Sequence, residues 1–344
     1  MLGKILYLIP VMSCTIHRHI VEYLSNNGYS VDPVVVTYTN HFDYDLYYNV
    51  VHGEKRITEG IIVDKLIDKC HSVGYDVVII AGDTICSTTR RLQQKFSPRL
   101  GYIDVEHDLL GYGAAGSKKD KHLGAPAFHQ RHYDSLVRRG YKAIKARWYK
   151  LDAIYPEHKF EDLRPMEDAV FVGSDWRPYV SRMKKSTPFE YNHLFRNVYY
   201  KRWHYRDVTI KAGTILAPEI CDTPLGSKYC SQLSNFCFTL GSNTCIDMLL
   251  FGGIPILYNP DIKSQSKLDD IISTVNFPGH FDPAVGYAIT CENLNYKIGI
   301  LRSDPKRYLE VSNKLKEGYF PEDYMDWKPA HEVILQLIGE AHVI

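Results

Sequence analysis

The 344 residues are 45% apolar, 24% charged and 12% aromatic, with 41 Lys+Arg against 40 Asp+Glu. At roughly 100–200 residues per domain, this length carries two globular domains, and no apolar run approaches the roughly 18–20 residues that span a bilayer. Eight cysteines (14, 70, 86, 221, 230, 237, 245 and 291) show no CxxC spacing, which speaks against a zinc site and for reduced, buried thiols in a cytoplasmic protein.

The N-terminal half alternates strands and helices. Gly3–Ile9 reads as a first buried strand rather than a secretion signal. Thr15–Asn27 has helical spacing (Ile16, Ile20, Tyr23, Leu24) and stops at Asn27-Gly28. Val31–Tyr38 is the next strand. Ile57–Val73 is an amphipathic helix with Ile61, Ile62, Leu66, Ile67 and Cys70 on one face, ending at Gly74. Tyr75–Ala81 is a strand closed by Gly82-Asp83-Thr84, and Arg99–Val105 is another. Continuous β-branched runs between helices predict parallel strands covered on both faces, a doubly wound Rossmann-like domain.

Residues 107–165 are less regular, with a Gly/Ala/Lys loop and a helix predicted over Ala127–Arg139. A second α/β pattern starts at Asp168–Gly173 and continues through Asp207–Lys211, Tyr229–Leu240, Cys245–Phe251 and Ile254–Tyr258. A last helix, Ala330–Glu340, is placed to pack back across the domains. The expected organisation is an N-terminal acceptor domain over 1–160, a nucleotide-donor domain over 161–325, and a returning helix in 326–344.

The sharpest segment is Phe238–Tyr258, FTLGSNTCIDMLLFGGIPILY. It reads as a strand ending at Leu240, a turn Gly241-Ser242-Asn243-Thr244 into a helix, an exit at Gly252-Gly253, and a strand entered through Pro255. Short polar residues at a helix N-terminus offer free N–H groups and hydroxyls, which suit a phosphate. An ordinary helix cap uses the same residues.

This segment, with Asn259-Pro260-Asp261 after it, resembles the C-terminal donor site of GT-B transferases. The likeness is greatest to the CDP-glycerol glycerophosphotransferase family and its relatives among nucleotide-sugar transferases and the UDP-N-acetylglucosamine 2-epimerase group. That family has a Ser-Ser pair at the turn, an Asp in the helix and a Gly-x-Pro strand; Ser242-Asn243-Thr244, Asp247 and Gly253-Ile254-Pro255 stand there in this chain. Val170–Arg177 (VFVGSDWR) resembles the strand that opens the family's second domain, and Tyr102–Asp108 (YIDVEHD) the strand ending in the family's His-Gly base motif. Two departures stand out. The His-Gly is His107-Asp108, and the family's second-domain His-Pro falls where this chain reads DVTIKAG (Asp207–Gly213).

The resemblance implies two Rossmann-like domains facing a cleft. It implies donor or phosphate binding by Ser174, Arg177, Gly241, Ser242, Asn243, Thr244 and Asp247, with Arg177 suited to clamp a diphosphate. His107 follows a buried strand at the edge where open α/β sheets hold ligands, close in sequence to Asp104, Glu106 and Asp108. A carboxylate beside an imidazole raises its basicity, so His107 is the candidate base for an acceptor hydroxyl. Asp83 is the rival base, although Gly82-Asp83-Thr84 equally suits a helix cap. Ser13 and His17, in the loop after the first strand, are candidate acceptor contacts; the plainer reading is a βα loop capped by Thr15.

The charge is uneven: residues 117–211 hold 21 Lys+Arg against 11 Asp+Glu, and the rest of the chain 20 against 29. Lys118 and Lys119 open this basic stretch, and tyrosines crowd residues 179–205. Cations suit phosphates and rings suit unstacked bases, although solvated helix faces around an aromatic core would look the same. The reading is a glycosyltransferase using a nucleotide-diphosphate sugar, with no metal and no further cofactor. Its acceptor is polyanionic, with modified bases in DNA first and a wall or capsule polymer second. A 2-epimerase-type isomerase and a non-catalytic nucleic-acid-binding protein are the alternatives.

Overall fold

The apolar runs of the N-terminal half become the middle strands of a seven-stranded sheet. In chain order the elements are β1 (Lys4–Pro10), α1 (Cys14–Asn26), β2 (Ser30–Val36), β3 (His41–Asp43), α2 (Val63–Val73), β4 (Val77–Ala81), α3 (Ser87–Lys95), β5 (Gly101–Val105), β6 (His122–Ala127), α4 (Gln130–Arg138), β7 (Ala143–Lys145) and α5 (Tyr149–Ile154). The computed structural model describes residues 2–10, 14–36, 41–43, 63–81, 87–105, 121–154, 167–172, 197–200, 234–238, 248–258, 264, 266, 287–288 and 291–343. Two compact units divide the chain: unit 1 is Met1–Pro156 with Asp323–Ile344, and unit 2 is Glu157–Glu322.

The strand order in unit 1 is β3-β2-β1-β4-β5-β6-β7, all parallel except the antiparallel β2–β3 pair. Burial on both faces explains the unbroken apolar runs: Ile5–Ile9 and Val77–Ala81 are buried at every position. On one face Leu6, Leu8, Val78, Ile80 and Tyr102 pack against Val63, Leu66, Ile67 and Cys70 of α2 and Leu92 of α3. α2 ends at Gly74 in the left-handed region (φ 65°), as its Gly predicts.

One expectation is corrected. Ala127 ends strand β6 rather than opening a helix; α4 starts at Gln130 with His129 as its N-cap. The chain needs Gly124 where it passes the last helix, α8 (Ala330–Val343), because a Cβ there would lie 2.6 Å from Leu337 Cδ2. HLGAPA therefore pairs as a strand despite its Gly and Pro.

Unit 2 contains β8 (Glu167–Val172), β9 (Asn197–Tyr200), β10 (Ser234–Phe238), β11 (Ile254–Tyr258), β12 (Tyr287–Ala288), α6 (Cys291–Ser303) and α7 (Pro305–Glu317). Its sheet runs β12-β11-β10-β8-β9, parallel throughout. Of the predicted helix after the polar turn, Met248–Leu250 are described and helical; Asp207–Lys211 lies outside the described residues. α7 begins with Pro305 and is capped by Asp304, whose Oδ1 accepts from Arg307 N–H at 3.0 Å.

After a 3-10 turn (Glu322–Asp326) the chain returns to unit 1 as α8, which packs on β6 and α1. Tyr324, fully buried, ties this return to the sheet. Its hydroxyl donates to the Phe128 carbonyl at 3.0 Å and accepts from Trp148 N–H at 2.8 Å. Lys142 pairs with Glu340, and Arg147 donates to the Met325 carbonyl at 3.1 Å. No helix among the described residues is long and apolar enough to cross a membrane.

Candidate functional site

In a doubly wound sheet, ligands gather at the carboxyl ends of the strands, at the point where the strand order reverses. In unit 1 that edge is formed by β1, β4, β5 and β6, which are neighbours in the sheet. Leu8 pairs with Ile80, and Ala81 with Val105, so the ends of β1, β4 and β5 stand level. The chain leaves these ends toward Ser13, Asp83 and His107 respectively. Those three residues, and Lys118 and Lys119, lie outside the described residues.

His17 is described and fully buried in α1. Its Nδ1 is 2.7 Å from the Tyr7 hydroxyl, and its ring lies against Tyr149 with centroids 4.4 Å apart. The helix already includes Thr15, since α1 starts at Cys14. His17 is therefore built into the layer between β1, α1 and α5.

Two further groups near this edge escape a reading by motif. Asp104, buried on β5, meets His122 Nε2 at 3.0 Å, with both side chains at most 4% exposed. At the end of β6, His129 and His132 are also buried. His132 N–H donates to His129 Nδ1 at 3.1 Å, and Phe128 N–H donates to His132 Nδ1 at 3.3 Å. Burial, then the neighbouring His129 and Arg139, push the His132 ring down to about 3. The sequence signal was present: His at the N-cap and at the third helical position mimics a capping box, but it shows only once the helix is started at Gln130.

Of the predicted basic surface, several cations are engaged inside unit 1. Lys142 pairs with Glu340 and Arg147 with Asp152; Lys145 lies over the Tyr133 and Trp327 rings, Arg139 over Tyr141, and Lys150 over Trp148. Cys70 and Cys237 are buried, and burial pushes the Cys70 thiol up to about 12.

In unit 2 the strand order reverses between β8 and β10. These strands pair in parallel with Phe171 opposite Cys237 and Val172 opposite Phe238. The two sequence segments singled out for the donor leave the sheet here. Ser174 and Arg177 come after Val172, and Gly241, Ser242, Asn243, Thr244 and Asp247 come after Phe238; all seven lie outside the described residues. The segment beyond Asp247 is firmly held. The helical turn Met248–Leu250 closes with Gly253 N–H on the Met248 carbonyl and Gly252 at φ 71°, a glycine C-cap. The Gly252 carbonyl accepts from Tyr308 and Ser312 of α7 at 3.1 and 2.8 Å, and Tyr308 also reaches the Asn235 carbonyl of β10 at 2.8 Å.

No protein-family model matches the chain, and no curated protein matches it in sequence. Solved structures match along the whole length. UDP-GlcNAc 2-epimerase from Neisseria meningitidis bound to UDP-GlcNAc gives a TM-score of 0.60 at 10% identity, covering 98% of this chain and 100% of that one. Staphylococcus aureus MnaA in complex with UDP gives 0.59 at 14%, covering 98% and 96%. The glycosyltransferase SnogD from Streptomyces nogalater gives 0.51 at 11%, covering 98% and 99%. The fold is thus of the GT-B type, two Rossmann-like α/β units built on parallel sheets, shared with a glycosyltransferase and with UDP-sugar epimerases.

Proposed function

We propose that the chain is a nucleotide-sugar-dependent glycosyltransferase. The observation that carries this reading is the register of Val172 beside Phe238 at the reversal point of the unit 2 sheet. In sequence GSDWR and TLGSNTCID follow directly on these two adjacent strand ends, and a reversal point of an open α/β sheet is where such folds hold ligands. The diphosphate binds to Gly241, Ser242, Asn243 and Thr244, with Ser174, Arg177 and Asp247 beside it; amide N–H groups and the guanidinium stabilise it as it leaves. An acceptor hydroxyl binds by Ser13, since His17 is buried against Tyr7 and Tyr149, and His107 takes its proton, with Asp83 as the alternative base. The sugar carbon exchanges its bond to the diphosphate oxygen for one to the acceptor oxygen. No metal and no cofactor beyond the donor is invoked.

The acceptor in this reading is polyanionic, modified bases of DNA before a wall or capsule polymer, in keeping with the positive excess of residues 117–211. Arg139, Lys142, Lys145, Arg147 and Lys150 are engaged within unit 1; Lys118 and Lys119 are the proposed contacts.

A second reading, isomerisation of a UDP-sugar without an acceptor, is favoured by the likeness to two UDP-GlcNAc 2-epimerase structures, from Neisseria meningitidis and Methanocaldococcus jannaschii. One experiment separates them. UDP, CDP, GDP and their sugar or glycerol conjugates are screened for a rise in melting temperature, and the best conjugate is then incubated alone or with hydroxymethylated duplex DNA. Release of nucleotide diphosphate that requires the DNA supports the transferase. A new sugar epimer formed without DNA supports the isomerase. DNA stabilisation without any nucleotide shift identifies a binding protein, and no shift at all overturns the nucleotide-sugar reading.

A further inference from the structure

The start of α8 brings two histidines face to face. His331, the second residue of that helix, lies edge-on to His19 of α1 with ring centroids 5.8 Å apart, and is tilted over the Tyr23 ring at 4.3 Å. Beside them Arg147, just beyond β7, and Asp152 of α5 form an ion pair of 3.1 Å. Glu332 follows on α8 itself. β6 packs on α8 further along, at Leu337, and its one ionisable side chain, His122, is paired with Asp104.

Each neighbour bears on a charge at His331. A helix N-terminus carries the positive end of the peptide dipoles, so a cation in the first turn is disfavoured. The Arg147 guanidinium adds to that, and a second imidazolium at His19 would repel at this range. Asp152 and Glu332 work the other way, but Asp152 already serves Arg147. Half-burial decides the balance and holds the His331 ring below the ordinary histidine value of 6.5. The docked helix thus keeps His331 neutral, while the undocked helix takes a proton first as pH falls, so docking weakens as pH falls through 6.5. Asp152, raised above 3.8 chiefly by burial, acts with the opposite sign in a window that starts at 3.8.

We propose that the His19–His331 contact is a pH-sensitive latch: proton uptake at His331 loosens the first turns of α8 from α1 and α5 and uncovers the β6 face that Leu337 closes. The opening is local. Arg147 N–H donates to the Lys328 carbonyl at 2.8 Å, and Tyr324 holds the Phe128 carbonyl at 3.0 Å. Neither bond involves a group that gains charge on acidification, so the chain up to Pro329 stays tied while the helix start lifts. The latch belongs to unit 1 and is independent of the nucleotide-sugar reading.

The test is hydrogen exchange of the full native chain at about pH 7.5 and 5.5, corrected for the intrinsic effect of pH, with the amides of α8 referred to those of β4. The relative exchange of α8 is expected to rise about two- to fivefold at the lower pH, the worth of a cation at the wrong end of a helix, and to stay level in His331→Gln. His331→Lys, charged at both pH values, is expected to exchange fast at both. A wild-type ratio that does not change with pH overturns the proposal, and so does a rise that survives in His331→Gln. Should a variant fail to fold, NMR of the wild type decides. The α8 amides must titrate with the same midpoint as the His331 ring, and midpoints that differ overturn the latch.

Discussion

Tyr324 and Phe128 are joined by a buried hydrogen bond, 3.0 Å long, across 196 positions of sequence. The same hydroxyl receives Trp148 N–H. Tyr324→Phe keeps the ring and removes both bonds, leaving a carbonyl and an amide buried without that partner. The expected loss is about 2 kcal/mol, read as a lower urea midpoint with an unchanged slope.

His132 also sets a dependence on acid. Its folded value, pushed down to about 3, lies below the ordinary histidine value of 6.5, so between these pH values the unfolded chain binds the extra proton. Stability therefore rises with pH across this window, and the His132 contribution is level above it. The slope reaches at most about 1.4 kcal/mol per pH unit. Urea titrations across the window, at about pH 4.5, 5.5 and 6.5, should show it, and His132→Gln should flatten it.

Gly101 sits where β5 meets the start of β6. A Cβ there would lie 2.3 Å from the Lys121 carbonyl oxygen, which belongs to backbone and cannot swing aside. Gly101→Ala should cost about 2–3 kcal/mol and should show as faster hydrogen exchange along β5 and β6.

Replacement of His107 by Ala should lower turnover about 10²–10⁴-fold while leaving the nucleotide-induced rise in melting temperature intact. Arg177→Ala should abolish that rise and lower turnover with it. Turnover should survive excess EDTA; loss of activity with recovery on added divalent cation would sink the metal-free scheme.

The Cys70 thiol, buried and pushed up to about 12, should resist thiol reagents at about pH 8 in the native state. Labelling at Cys70 should appear only in denaturant, as mass spectrometry of the digested chain would show.

Legibility in the sequence tracked the strength of the pattern. YDVVIIA could be read as a central strand because burial on both faces leaves no polar position in its apolar run. FTLGSNTCIDMLLFGGIPILY could be read because its glycines and proline punctuate it, and Gly252 and β11 lie where those residues implied. HLGAPA defeated the same reasoning. Its strand is set by pairing with β5 and β7 and by the approach of Leu337 to Gly124, neither of which is local. The His129–His132 pair was hidden by the same error, since a helix started at Ala127 buries its own cap. The grip of Tyr308 and Ser312 on Gly252 joins residues 56 and 60 positions apart, and no spacing rule reports that.

The return of the last residues to unit 1 orders events during synthesis. Residues 157–322 leave the ribosome before Tyr324, Trp327 and Leu337 do, so the second-made unit has its whole chain in hand first. The first-made sheet must wait, with the β6 face meant for α8 uncovered, until residues 330–343 have emerged. A stalled or prematurely terminated chain would thus release an unfinished sheet beside a finished one.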